Sequence, residues 1–525
     1  GMLDGAVFVD TFRTLTKEHG FTRETAFNVA LRVHRGGGLA KDAIYLRGLL
    51  EILGHLQGGG ALDPFWMGKI AARHFAVMQE LRTRGLLDAF EVTVVCTRVP
   101  ESGKRFQWHE RVEVLPVLPF KQPFPQPYAV PAYDLATIVY EMGDALQTAD
   151  RFYLHDGEFL FPYVYRHVPT IVSLLDNVYP ETLISGFSFA GDQLILISEY
   201  SRQYYEHTAG RFFPELASRI RVIHNGIDWD RFRPTPPGAL QDIIPMQPGS
   251  RPVVLHPHRP EESKGLRQTI AVVDQLVHRY EINDVLALAP RWHEAEHSSE
   301  LRDFYQSIER DIAARGLTDN FLFHDWIPRE LMPAYYSLGS VTLSLGSFVE
   351  AFGNSVYESL GCGTPSIVAR IATHRDLLPD DLIDKVDYDD IDEAAARAVR
   401  IMRGGERTSA PTLDYLQTHY SVERQLDQYT EVIVNARVRQ PIIYRHPEPD
   451  AGTRFRLAPW CYVSARGVYN DFRADYADLG AIGALVEAQP DGFTLDAAVA
   501  TGISQGDVLS QVRGGYLVPL RQGEA

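Results

Sequence analysis

Cysteine is scarce in this chain, and long apolar runs are missing. The three cysteines, Cys96, Cys362 and Cys461, lie far apart in 525 residues. Their spacing excludes a disulfide-stapled scaffold and a thiolate metal centre, and it fits a reducing compartment with thiols buried as small hydrophobes. No run approaches the ~20 apolar residues of a membrane-crossing helix, and the first residues lack a charged-then-apolar signal sequence. A cytoplasmic location is expected, with no transmembrane segment and with peripheral membrane contact left open. Gly1 ahead of Met2 reads as a residue left by tag cleavage and is set aside. Basic charge is also short: 51 Lys and Arg face 68 Asp and Glu, a formal charge of -17. That balance argues against nucleic acid as a partner. Tandem repeats and low-complexity tracts are absent. What is present is a globular composition, 45% hydrophobic and 23% charged, over a length that calls for two to four domains.

Residues 1–88 read as helical. Phe8, Phe12 and Leu15 form one apolar stripe, Ile44 to Leu56 another that ends at Gly58-Gly59-Gly60, and a third helix spans about Met67 to Arg84. From Phe90 the period changes. The β-branched run to Cys96 and the stretch Val112 to Leu118 predict strands, and further short apolar runs follow at 151–155, 170–175 and 194–198. The alternation then restarts: Ile220 to His224 leads into Asn225-Gly226, 252–256 is the first strand of a new unit, and 285–288, 321–323, 341–345 and 366–369 continue it, with helices predicted at 298–315 and 329–338. Two β/α series predict an α/β protein with two facing Rossmann-like domains and a cleft between them. The expected division is 1–88, 89–215, 216–440 and 441–525, with a long helical stretch from Tyr415 to Val438 closing the second series.

The run Glu350-Ala-Phe352-Gly353-Asn354-Ser-Val-Tyr-Glu358, ending in Gly363-Thr-Pro365, follows a predicted strand. It therefore sits where α/β folds bind ligands. Gly353 lets the backbone approach a ligand, and Asn354-Ser355 can cap the next helix, whose open amides suit a phosphate. Glu350 and Glu358 are placed to face one pocket and accept from sugar hydroxyls. The loop after strand 252–256 brings Arg259 and Lys264, two cations able to neutralise a diphosphate. Either element alone is as well explained as a solvated surface. It is their joint occurrence, each after a strand, that points to a site.

These residues resemble the retaining GT-B glycosyltransferases of family four over roughly residues 90 to 440. The motif Glu350…Glu358…Gly363-Thr-Pro365, the loop Arg259…Lys264-Gly265, the stretch Ser198-Glu-Tyr-Ser-Arg202, and Arg219 to Asp228 followed by Arg231-Phe-Arg-Pro234 carry the likeness. The resemblance implies a donor site in which Glu358 holds the nucleotide ribose and Glu350 the transferred sugar. Arg259 and Lys264 would hold the diphosphate with the backbone of Phe352, Gly353 and Asn354, while Asp325, Trp326 and Ile327 would lie beside the base. It implies a catalytic role for His155 in Leu154-His155-Asp156, although a histidine there also fits a loop residue satisfied by its neighbours. The family's second histidine has no counterpart, since Ser173-Leu-Leu-Asp176 stands in its place, and Met67 to His74 only partly echoes the family's first turn. The implied reaction moves a sugar from a nucleotide-diphosphate sugar to an unidentified acceptor hydroxyl, retaining configuration by front-face attack, with neither metal nor other cofactor. The alternatives are a non-catalytic sugar-nucleotide sensor or scaffold and a metallopeptidase-associated regulator.

Three further signals are weaker. His293-Glu-Ala-Glu-His297 matches a zinc-peptidase pattern without a third ligand and reads as a polar loop. Asp387-Tyr-Asp389, within the acidic run 384–392, reads as a solvated loop. Val33 to Gly48 and Met67 to Ala71 resemble the tail of tyrosine-carboxypeptidase-like zinc metallopeptidases, whose catalytic motif is absent from this stretch. The likeness implies a relic or helper without peptidase activity, or helices that simply cover a sheet. The last segment, 479–520, predicts helix, turn, helix and a strand pair near Gly514, compatible with a winged helix. Its acidity points to bracing or protein contact in preference to DNA.

Overall fold

The computed structural model describes residues 8–19, 22–23, 25–26, 30, 90–97, 105–119, 131–157, 159–244, 246, 249–291, 299–447, 449–450 and 452–520. The predicted helices at 44–56 and 67–84, the peptidase-like stretches 33–48 and 67–71, and the 293–297 pentapeptide lie outside them. The chain divides into two compact units, residues 1–145 and 146–525.

In the first unit, a helix at Phe8–Lys17 carries the Phe8, Phe12 and Leu15 stripe. Strands β1 (Val92–Thr97), β2 (Phe106–His109) and β3 (Val112–Leu118) form a sheet in the order β1-β3-β2. β1 lies parallel to β3 and β2 antiparallel to it. The strands predicted at 90–96 and 112–118 are therefore present, but they do not open the parallel series that begins at residue 151. A tight turn at Glu110-Arg111 folds β2 back along β3, so both edges of β3 are occupied.

The second unit contains two parallel sheets. Strands β4 (Phe152–His155), β5 (Thr170–Leu174), β6 (Gln193–Leu196) and β7 (Ile220–Val222) pair in sequence order. β7, which lies beyond the expected boundary at 216, is thus the last strand of the first sheet, and the first strand of the new unit, expected at 252–256, is β8 of the second. The second sheet comprises β8 (Val253–Leu255), β9 (Leu286–Pro290), β10 (Phe321–His324), β11 (Val341–Ser344), β12 (Ser366–Ala369) and β13 (Asp384–Val386), in the order β10-β9-β8-β11-β12-β13. All its pairings are parallel. Alternate side chains leave opposite faces. Val253, Leu255, Leu286, Leu288 and Val368 enter one core, and Val254, Ala287, Ala289, Leu343 and Ile367 enter another. Helices Met332–Leu338, Asn354–Gly361 and Ala410–His419 cover the first face, and Leu266–His278, Ser299–Ala314 and Ile391–Gly404 the second. Burial on both faces explains why these strands read as continuous apolar runs without alternation. The acidic run opens with strand β13, and Asp387-Tyr388-Asp389 follow it in a turn with Asp389 exposed, where the sequence reading put a loop. The Asp384 carboxylate pairs with Arg397 and Arg400, and the Lys385 ammonium is buried against the Arg375 and Leu378 carbonyls.

The stretch expected as one closing helix is two, Ala410–His419 and Val422–Asn435, broken at Tyr420-Ser421, where the Ser421 hydroxyl caps the second. The second helix leaves the second sheet. Tyr429, Val432 and Ala436 pack against Ile171, Ile195 and Ile223 of the first sheet region.

Past residue 450, β14 (Arg454–Leu457), β18 (Phe493–Thr494) and β19 (Leu517–Pro519) form one antiparallel sheet, and β15 (Cys461–Ser464), β16 (Gly467–Asn470) and β17 (Asp475–Ala477) a meander. Helices cover Ala481–Ala488, Leu495–Ala500 and Gln505–Gly514. The partner of the strand after Gly514 is β14, some sixty residues upstream, so the expected local strand pair is replaced by a long-range one.

Candidate functional site

The second sheet reverses its winding between β8 and β11, and ligands of such sheets bind where the loops of that switch diverge. Those loops are 256–265 and 345–353, the two that carry the predicted site residues. Their backbones touch. The Phe348 amide donates to the Ser263 carbonyl at 2.9 Å, and a Cβ on Gly346 would collide with that carbonyl. Two glycines, Gly265 and Gly346, permit this approach, and Gly265 also has φ +81°.

The contact joins Lys264 to Glu350, Nζ to Oε1 at 2.6 Å. The ammonium also lies 3.3 Å from the centre of the Phe348 ring, and Lys264 is only 8% exposed. A buried lysine needs such a carboxylate to stay charged. Ser263, Lys264, Gly346, Phe348, Glu350 and His374 line a small cleft. Phe352 is buried beneath it. Gly353, at φ +84°, takes the N-cap position ahead of helix Asn354–Gly361, and no side chain caps that start. Asn354 is therefore not the cap that the sequence predicts, because the left-handed glycine occupies the capping position. Its side-chain oxygen accepts from Asn225 instead, at 3.3 Å. The uncapped first amides are left to another acceptor, and the helix dipole favours a negative one.

Glu358 has other surroundings. It lies on the face turned to helix Met332–Leu338 and accepts from the Tyr336 hydroxyl at 3.0 Å. Burial pushes its carboxyl above the usual range, opposed by Tyr336 and by the charges of Arg329 and Arg231. The two glutamates thus do not share one set of partners, since the Gly353 turn separates them. Arg259 is half exposed and donates to the Tyr179 hydroxyl at 3.1 Å, bringing the loop against the first sheet's side of the unit. Asp325 and Trp326 are exposed after β10, while Ile327 is buried in the core below. His155 ends β4, the edge strand of the first sheet, exposed and 3.1 Å from the Tyr153 hydroxyl. Ser173, in the place of the family's second histidine, bonds the Tyr429 hydroxyl at 3.0 Å.

The sequence gives little sign of His374. Its ring fills the space beside Gly353, where a Cβ would lie 2.6 Å from Cε1. Nδ1 is 3.2 Å from the Tyr357 hydroxyl, and Nε2 has no hydrogen-bond partner among the described residues. Burial lowers its pKa to about 4, so the ring is neutral. The signal that could have found it is position: residues 370–376 follow β12, beside β11 at the same sheet edge. Tyr336 was likewise missed, since a phenol on a neighbouring helix carries no motif, while Arg231 stood in the family-like stretch Arg231-Phe-Arg-Pro234 with no site role assigned. Among the described residues no cluster of His, Cys, Asp and Glu could hold a metal ion.

Residues 244–403 match the family model described as glycosyl transferases group 1. Residues 1–110 match the model described as microtubule-associated tyrosine carboxypeptidase. That second span runs past residue 88 and takes in β1 and β2. No curated protein matches the chain's sequence significantly. Among solved structures, the sucrose-phosphate synthase of Thermosynechococcus elongatus is similar with a TM-score of 0.53 at 17% identity, over 67% of this chain and 91% of that one. HepE of Anabaena in complex with UDP-glucose has a TM-score of 0.50 at 17% identity, over 65% and 99%. The UDP-forming trehalose-phosphate synthase of Burkholderia xenovorans has a TM-score of 0.50 at 12% identity, over 66% and 99%. The fold shared with these proteins is the two-domain Rossmann-like architecture of GT-B glycosyltransferases. No described helix is long and apolar enough to cross a membrane.

Proposed function

We propose that the chain is a retaining glycosyltransferase that takes a sugar from a nucleoside-diphosphate donor bound at the switch point of the second sheet. The observation that carries this reading is the buried Lys264–Glu350 pair, set beside the uncapped, glycine-started helix Asn354–Gly361. Cation, carboxylate and open amides converge at the carboxyl end of adjacent parallel strands. That is what a ligand with both phosphate and hydroxyl groups requires.

In this reading the diphosphate meets the Lys264 ammonium and the first amides of the helix, with the Arg259 guanidinium reaching in from the rim. As the bond between sugar and phosphate breaks, negative charge grows on the departing phosphate. Once Lys264 has exchanged Glu350 for the phosphate, these donors face the growing charge and stabilise it. Glu350, drawn from Lys264 as the phosphate arrives, accepts from the sugar hydroxyls, and Glu358 accepts from the ribose. Asp325, Trp326 and Ile327 flank the base. His155 stands on the acceptor side. The acceptor hydroxyl attacks from the face the phosphate leaves, so configuration is retained and no protein carboxylate is needed as nucleophile. Neither metal nor cofactor takes part.

HepE holds UDP-glucose in its structure, which makes that compound the first donor to test, beside GDP- and ADP-glucose. Calorimetric titration should show one of them binding the wild type. Lys264→Ala should weaken that binding by roughly 2–5 kcal/mol, the usual effect of removing one partner of a buried charge pair. Glu350→Ala should abolish slow donor hydrolysis. Donor binding unchanged in both variants would refute the assignment, and binding without any turnover by the wild type would leave a sugar-nucleotide sensor.

A further inference from the structure

The C-terminal segment past residue 450 is absent from the matched span 244–403, yet one of its side chains reaches the loop that carries His374. Asp471 follows β16, and its carboxylate is fully buried. It accepts from both terminal nitrogens of Arg375, at 2.9 and 2.7 Å, and from the Ala372 amide at 3.3 Å. It also accepts from the Tyr200 hydroxyl at 2.8 Å, and Tyr200 belongs to the helix after β6. Arg375 further donates to the Pro459 carbonyl at 2.9 Å. Ala372 is one of few non-glycine residues with a left-handed backbone, φ +47°. Such a conformation persists only where the surroundings impose it.

From this geometry we infer that Asp471 is a positioning residue of the donor site. It fixes the bend at Ala372 and the Arg375 side chain, and between them His374 is held against Gly353. His374 in turn limits where the Gly353 turn, and with it the first amides of helix Asn354–Gly361, can lie. The C-terminal module is thus a working part of the site, beyond any bracing of the fold. The inference rests on the donor-site reading above.

The test compares the full-length wild type with Asp471→Asn, Lys264→Ala and Phe493→Leu. Phe493 sits in the other core of the same module, so its variant controls for loss of module stability at a matched melting temperature. Calorimetry with UDP-, GDP- and ADP-glucose reads affinity, and hydrogen exchange reads the amides of 371–376. Asp471→Asn should weaken donor binding by at least about tenfold, as small misplacements in a binding site do, and should speed exchange at 371–376. Phe493→Leu should leave the affinity within about twofold of the wild type. Unchanged affinity in Asp471→Asn, or an equal loss in Phe493→Leu, would overturn the inference while leaving the donor reading intact. A wild type that binds none of the three sugars would sink the donor reading and this inference with it.

Discussion

Lys264, Glu350, Gly353 and His374 constrain one another. Lys264 stays buried because Glu350 neutralises it, and Gly353 has no side chain because the His374 ring occupies that space. The imidazole is neutral, its pKa lowered to about 4 by burial, with the nearby charges of Glu350, His258 and Lys264 acting in both directions. The sign of the pH effect follows. Between pH 6.5, the ordinary value, and about 4, an unfolded chain binds a proton at this residue and the folded chain does not. Stability is therefore complete above 6.5 and falls as pH drops toward 4. One such histidine contributes up to about 1.4 kcal/mol per pH unit. His374→Gln should flatten the fall by that amount relative to wild type, as read by denaturant melts at pH 7, 6, 5 and 4.5. His224 and His258, also lowered to about 4 by burial, should account for part of the remaining slope.

At the scale of elements, the site exists because two strand-end loops can touch. Gly346→Ala would push a methyl group into the Ser263 carbonyl, and rigid backbone cannot yield as a side chain tip does. A loss of about 1–3 kcal/mol in stability is expected, together with weaker donor binding, both measurable on one purified variant. Much of this was legible beforehand. Val253–Leu255, Val341–Ser344 and Ser366–Ala369 announced themselves as β-branched or apolar runs, and Lys264 and Glu350 could be assigned to one site, though not to one ion pair, because each follows such a strand. What escaped had no local signature. β7 is three residues long and joins a sheet whose other strands lie upstream. β14 pairs with β19 across sixty residues. Asn354 looked like a cap because asparagine often is one, but the left-handed Gly353 displaced it by one position. The partners of Glu358 come from a different helix, and no spacing in the chain encodes a contact of that kind.

For the second unit as a whole, the chain crosses from the first sheet to the second after β7 and crosses back at Tyr420. The return helix then adds Ala436 to the core made by Ile171, Ile195 and Ile223. Ala436→Asp would bury a carboxylate there with no partner, at a cost of several kcal/mol. The prediction is that one cooperative calorimetric transition becomes two, with the first sheet melting early and donor-induced stabilisation kept by the later transition. A single transition shifted as a whole would contradict it. The two crossings also lie side by side. The Ile227 amide donates to the Tyr420 carbonyl at 2.8 Å, and Gly226 rests directly on Ser421 and Val422. Mechanically, a pair of bonded ribbons behaves as a leaf spring. Such a strap is expected to resist twisting and sliding of the two sheets more than bending at Gly226.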